Sequence, residues 1–158
     1  MTRVMFLALC VIVAGCDEPE TRLRVNVAPS AQGQLAAIRT AVEALNGWTG
    51  EESFEWRLAG SEEAVEGEIT VRGGEDIQGR VATSSGGIVA GATGGGYSKV
   101  ILLKLDAWAM TRVVAHELGH AAGLAHIDDP WNLMNPTVPI QGDADAWELT
   151  EEQVEVMR

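Results

Sequence analysis

Four side chains in one short stretch could do chemistry together. The run reads His116-Glu117-Leu118-Gly119-His120-Ala121-Ala122-Gly123-Leu124-Ala125-His126. His116 and His120 are four residues apart, which on an α-helix puts both imidazoles on one face about a turn apart. A divalent zinc can bridge such a pair. Glu117, beside the first ligand, can reach the metal's solvent position without being a ligand itself. Gly123 tolerates a left-handed backbone, so it ends the helix and turns the chain back. His126 then arrives as a third nitrogen. Three protein ligands leave a tetrahedral zinc one open position, which a catalytic site needs and a structural site lacks. The chain has 3 histidines, and all of them lie in this stretch.

The His116-Glu117-x-x-His120-x-x-Gly123-x-x-His126 spacing resembles the extended motif of the metzincin metallopeptidases. Eight residues after His126 stands Met134, within Asp129-Pro130-Trp131-Asn132-Leu133-Met134-Asn135-Pro136. The resemblance makes this the Met-turn, whose methionine supports the histidine rings and does not ligate. Within the metzincins the chain looks most like the matrixins, the matrix-metalloproteinase branch. Gly86-Gly87-Ile88-Val89-Ala90-Gly91-Ala92 is similar to their edge-strand pattern Gly-Gly-x-Leu-Ala-x-Ala. That likeness implies that Ile88, Val89 and Ala90 offer main-chain groups to an extended peptide, a strand addition largely independent of side chains. Without a ligand the same segment is a glycine-softened edge strand. Thr111-Arg112-Val113-Val114-Ala115 also looks like a matrixin helix. Some collagenases of that family shorten the S1′ pocket with an arginine at the place of Arg112. Read on its own, Arg112 is a surface residue making a helix salt bridge. By the same resemblance Pro136 to Pro139 form one wall of that pocket. Trp131 either covers the region or packs at the domain edge.

The chain departs from the family at Ile127, where matrixins usually carry serine. No histidines remain for the second, structural zinc of animal matrixins, so one catalytic zinc is expected. Calcium is unassigned; Glu75-Asp76 and Asp143 to Asp145 are its weak candidates. No cysteine-bearing propeptide is seen that could plug the zinc, so any latency is expected to come from another protein.

Together these readings imply a zinc-dependent endopeptidase. It would hydrolyse peptide bonds of extended protein substrates with a zinc-activated water and Glu117 as general base. Two other readings use the same residues. One is a catalytically silent, zinc-containing envelope lipoprotein that binds peptides or a protein partner. The other is a structural zinc domain, which would unfold when the metal is removed.

Positioning these groups requires a layered domain over 22–158. Arg22 to Val27 alternates like a strand. Ser30 can cap a helix from near Ala31, with Leu35, Ile38, Val42 and Leu45 on one apolar face and Asn46-Gly47 closing it. Ser53 to Leu58 reads as a strand with Phe54, Trp56 and Leu58 on one side. Ile69 to Arg72 is a third strand, with Gly73-Gly74 as a turn. Val81 to Thr83 and Gly87 to Ala92 make a fourth. Val100 to Leu105 is nearly all apolar and reads as a buried central strand. Asp106 can cap the zinc helix, whose core side carries Trp108, Thr111, Val114 and Leu118, with Val113 and Leu124 around the ligands. Thr150 and Gln153 form a capping box for a final helix, with Glu151 and Glu152 at its positive end. The order predicts an α+β, α/β-type sandwich: a mixed, twisted sheet, a zinc-binding helix, a Met-turn and a C-terminal helix. This is the metzincin fold by resemblance.

Composition agrees with a single acidic domain. The chain has 158 residues and a net charge of -12. No basic patch is visible, which argues against nucleic acid and against electrostatic docking on anionic lipid. A monomer is expected. Val4 to Val13 is an apolar run too short to span a bilayer comfortably, and Val13-Ala14-Gly15-Cys16 follows it. That resembles the lipobox of bacterial lipoproteins, with residues 1–15 as signal peptide, Cys16 as the lipidated residue and 16–21 as a polar tether. The implied location is the bacterial cell envelope, lipid-anchored on the periplasmic or extracellular side. An ordinary signal peptide, or an uncleaved anchor, is the alternative. Of the 2 cysteines, Cys10 falls in the leader and Cys16 would carry lipid, so no disulfide framework is expected.

Overall fold

A computed structural model describes residues 22–50, 52–74, 91–94, 99–103, 110–137 and 147–158. Strands β1 (Leu23–Val27), β2 (Phe54–Leu58), β3 (Ile69–Gly73), β4 (Gly91–Gly94) and β5 (Lys99–Leu103) form one sheet in the order β2-β1-β3-β5-β4. All neighbours pair parallel except β4, which runs antiparallel to β5 at the edge. Helices α1 (Leu35–Thr49), α2 (Met110–Ala121) and α3 (Glu151–Met157) complete the domain. A mixed sheet with helices packed on it is the α+β architecture that the alternation of elements predicted.

The register explains the core. Val25 pairs with Ile69, and Val27 with Val71, which pairs with Ile101, so these side chains share one face. All five are buried, together with Ile38, Val42 and Leu45 of α1 and Val113, Val114 and Leu118 of α2. Burying each such side chain contributes about 1.5–3 kcal/mol. Parallel strands need a crossover, and α1 supplies the one between β1 and β2.

Local expectations are corrected at several points. Residues Pro29–Gln34 form a 3-10 turn before α1, and Ser30 caps no helix. Its hydroxyl donates instead to Glu62 Oε2 (2.7 Å) and accepts from the Gly73 N–H (2.9 Å). Asn46-Gly47 does not close α1. The helix runs on to Thr49 and stops at Gly50, whose φ of 72° is left-handed and whose N–H returns to the Asn46 carbonyl. Asn46 serves β2 instead. Its amide donates to the Phe54 carbonyl and accepts from the Phe54 N–H, both at 2.9 Å, so it acts as a strand partner where β2 begins. Leu58 shares its side of β2 with Phe54, as strand alternation requires, but lies outside the core. It is exposed because β2 is an outer strand and Leu58 is its last residue. Gly73, expected in a turn, is the last residue of β3.

The opposite face of β1 carries a polar cluster. Asn26 is buried; its amide donates to Glu68 Oε2 (2.6 Å) and accepts from Arg57 Nε (2.6 Å). Arg57 Nη2 also meets Glu68 Oε2 at 2.7 Å. The Asn26 hydrogen bond, then the charges of Arg57 and Arg24, hold the Glu68 carboxyl below its ordinary value of 4.5, against the opposing effect of burial. A carboxylate with a lowered folded pKa stabilises the fold above its unfolded pKa and loses that contribution as pH falls through the folded value. Acid unfolding should therefore be steeper below about pH 4.5 in the wild type than in Glu68→Gln, followed by circular dichroism. Superimposable acid limbs would remove Glu68 as a source of the pH dependence.

Candidate metal centre

Helix α2 is buried nearly all round. Met110, Arg112 to Ala115, Glu117 to Gly119 and Ala121 are all buried, and His116 and His120 are half-buried. The helix lies against α1, β4 and β5. At its C-terminal end Lys99 of β5 donates Nζ to the Ala121 carbonyl at 2.5 Å, a cation placed where the helix dipole favours one. The helix ends in a Schellman arrangement. The Leu124 N–H bonds the Gly119 carbonyl (2.9 Å) and the Gly123 N–H bonds the His120 carbonyl (3.0 Å). Gly123 has φ of 103°, a conformation that a residue with a Cβ rarely adopts. Its expected role as the turning point holds.

That turn brings the three imidazoles together. Their ring centroids lie 4.6, 5.2 and 4.6 Å apart for His116–His120, His116–His126 and His120–His126. The available nitrogens all fall within 4.8 Å of one another. His120 Nε2 and His126 Nε2 are 3.0 Å apart. A tetrahedral zinc with Zn–N bonds of about 2.0–2.1 Å holds its ligand nitrogens roughly 3.3 Å apart, so the spacing here suits that ion. The other ring nitrogens support the same reading. His116 Nδ1 faces the Leu133 carbonyl at 2.8 Å and His120 Nδ1 faces the Leu124 carbonyl at 2.9 Å. A carbonyl only accepts, so each of these contacts takes a proton from Nδ1, and in the neutral ring that leaves Nε2 for a metal. Burial pushes His116 down to about 4, helped by the neighbouring His120, His126 and Arg112 and opposed by the Leu133 carbonyl. Burial, then His120, lowers His126 as well. His116 is therefore neutral near pH 7, the state that binds metal. Among the described residues these three form the one cluster of His, Cys, Asp or Glu with metal-ligand spacing. Three such nitrogens would leave a tetrahedral zinc one open position, and Glu117 is buried next to His116 in the helix.

Met134 is fully buried, and its sulfur lies where a Cβ on Gly119 would stand, 2.6 Å from that position. The expected Met-turn is thus packed under α2. Sequence reasoning missed Gly119, although its place between Leu118 and His120 is the signal: only a missing side chain admits the sulfur.

Other expected residues are distributed differently. Arg112 is not a surface residue. It is 1% exposed, and its Nη2 donates to the carbonyls of Asn132 (3.0 Å) and Pro130 (3.3 Å), tying α2 to the loop ahead of Met134. Burial lowers its pKa. Pro136 is exposed directly after the turn, and Trp131 is 59% exposed. Ile88, Val89 and Ala90 lie outside the described residues. So do Cys16, Asp106, Trp108, Glu75-Asp76 and Asp143 to Asp145. The strand that follows Ala90 directly, β4, is the sheet edge beside α2.

Adding a methyl at Gly119 sets two effects against each other. Alanine in a helix is favoured over glycine by about 0.5–1 kcal/mol. Overpacking a filled core costs about 1–3 kcal/mol, and the approach to Met134 Sδ is 2.6 Å. Gly119→Ala should therefore destabilise the protein in urea, and adding Met134→Ala to it should recover part of the loss. A stabilised Gly119→Ala protein would show that Met134 yields the space freely.

No curated protein sequence matches the chain significantly. A family model described as Matrixin matches residues 23–158, a span that takes in the sheet, the histidine centre, the Met-turn and α3. The chain belongs to the matrixins, a family of zinc metallopeptidases.

Proposed function

We propose that this protein is an endopeptidase that cleaves extended polypeptides, with His116, His120 and His126 holding one zinc and Glu117 as general base. The observation that carries the reading is the convergence of three imidazoles on one point beside a buried carboxylate, with Nδ1 of both helical ligands given to backbone carbonyls. When bound, zinc supplies Lewis-acid polarisation of the scissile carbonyl and lowers the pKa of the attacking water. Glu117 takes that water's proton and passes it to the leaving amine. The substrate would lie extended beside the edge strand β4, and the family resemblance gives Ile88, Val89 and Ala90 the role of offering it main-chain hydrogen bonds. That holds the scissile bond in register with the carboxylate. Arg112, fixed under the loop, forms the floor of the pocket beside the site, and Pro136 part of its wall.

Glu117→Gln should retain stoichiometric zinc and lose about 10²–10⁴-fold in casein or gelatin cleavage. Equal activity in that variant would remove the base assignment. A wild type that binds zinc and peptides but cleaves nothing, with or without chelator, would instead favour the binding-only reading.

We also propose that Cys16 is lipidated and anchors the protein to a bacterial envelope membrane. The support is its position after the Val4 to Val13 run. Cys16→Ser should release the protein from the membrane fraction and abolish labelling by a fatty-acid analogue. Unchanged fractionation and labelling would discard the anchor.

A further inference from the structure

The Met-turn is held by more than its methionine. Asn132 and Gln153 are both buried, at 4% and 6% exposure, and their side-chain amides face each other. Asn132 Nδ2 donates to Gln153 Oε1 (2.8 Å), and Gln153 Nε2 donates to Asn132 Oδ1 (3.2 Å). Asn132 Oδ1 also accepts the Met134 N–H at 2.8 Å. That N–H belongs to the peptide unit whose carbonyl is Leu133, and the Leu133 carbonyl is the acceptor for His116 Nδ1 at 2.8 Å. One planar peptide is therefore pinned at both ends, by the Asn132 amide on one side and by a metal-binding ring on the other. A head-to-tail line of hydrogen bonds runs from His116 to α3: His116 Nδ1 donates to the Leu133 carbonyl, the Met134 N–H of the same peptide to Asn132 Oδ1, and Asn132 Nδ2 to Gln153 Oε1. Each bond in such a line polarises the next.

We propose that the Asn132–Gln153 pair positions His116: it fixes the plane of the 133–134 peptide, and so the direction in which His116 presents Nε2. The inference rests on the metal-centre reading above and adds two residues that touch neither metal nor substrate. Gln153 also serves α3. Its Oε1 accepts the Thr150 N–H (2.9 Å), and Thr150 Oγ1 accepts the Gln153 N–H (3.2 Å), the two halves of a capping box. A positioning role must be separated from this capping role, and the structure supplies the control. Thr150 shares the capping contacts, whereas the bonds to the Asn132 amide are made by Gln153.

The test uses the full chain loaded with zinc or cobalt. Metal affinity is read by competition with a chromogenic chelator, and ligand geometry by the visible absorption of the cobalt form. Gln153→Leu is expected to bind metal about 10–100-fold more weakly, the range for lost outer-shell partners of metal ligands, with a shifted cobalt spectrum. Thr150→Ala is expected to lower thermal stability while leaving affinity and spectrum unchanged. Asn132→Leu removes the same amide–amide bonds from the loop side and leaves the Thr150–Gln153 box in place; it gives the same readout should Gln153→Leu fail to fold, with weaker binding expected again. The proposal is overturned if the Gln153 and Asn132 variants bind metal as the wild type does, or if Thr150→Ala weakens binding equally. A wild type that holds no metal would overturn the zinc reading itself, which is a different result.

Discussion

A ring nitrogen can bind a metal only when its proton sits on the other nitrogen and the ring is held in that orientation. In this protein two backbone carbonyls impose that condition, Leu133 on His116 and Leu124 on His120. Neither carbonyl is on α2. The helix supplies two imidazoles at a separation that suits a metal, yet their aim is set by the two turns that follow it. The Schellman turn sets Leu124, and the loop ending in Met134 sets Leu133. The remainder of the domain keeps those turns where they are.

The two glycines near the ligands act in different ways. Gly123 is required for its left-handed backbone, with open space around it. Gly119 is required for the volume it leaves empty, which Met134 fills. Helix α2 is buried on almost every side where it packs against α1, β4 and β5. Arg112 shows what that environment does to a charge. Buried within the helix, its guanidinium is placed against the carbonyls of 130 and 132, since a buried cation without acceptors would be costly.

Much of this was legible because it is local. The ligand spacing, the helix-ending Gly123, the capping box at Thr150 and Gln153 and the apolar face of α1 depend on residues a few positions apart, where backbone periodicity links sequence to geometry. The misread details share a cause. Ser30 and Asn46 have the composition of a helix start and a helix end, but each found a tertiary partner, Glu62 and Gly73 for one and Phe54 for the other. Side chains that can bond the backbone locally can equally bond it at a distance.

The sequence by itself determined which groups meet: three imidazoles and a carboxylate at spacings that a helix and a turn bring to one place, where a metal could be held. Only the tertiary structure decided which carbonyls aim the rings, that Arg112 is buried, that Gly119 makes room for sulfur, and that Gln153 on the last helix reaches the turn beneath His116. The reason is physical. Periodicity fixes which residues share a face, whereas the partners of a buried polar group depend on how distant segments dock, which no local pattern encodes.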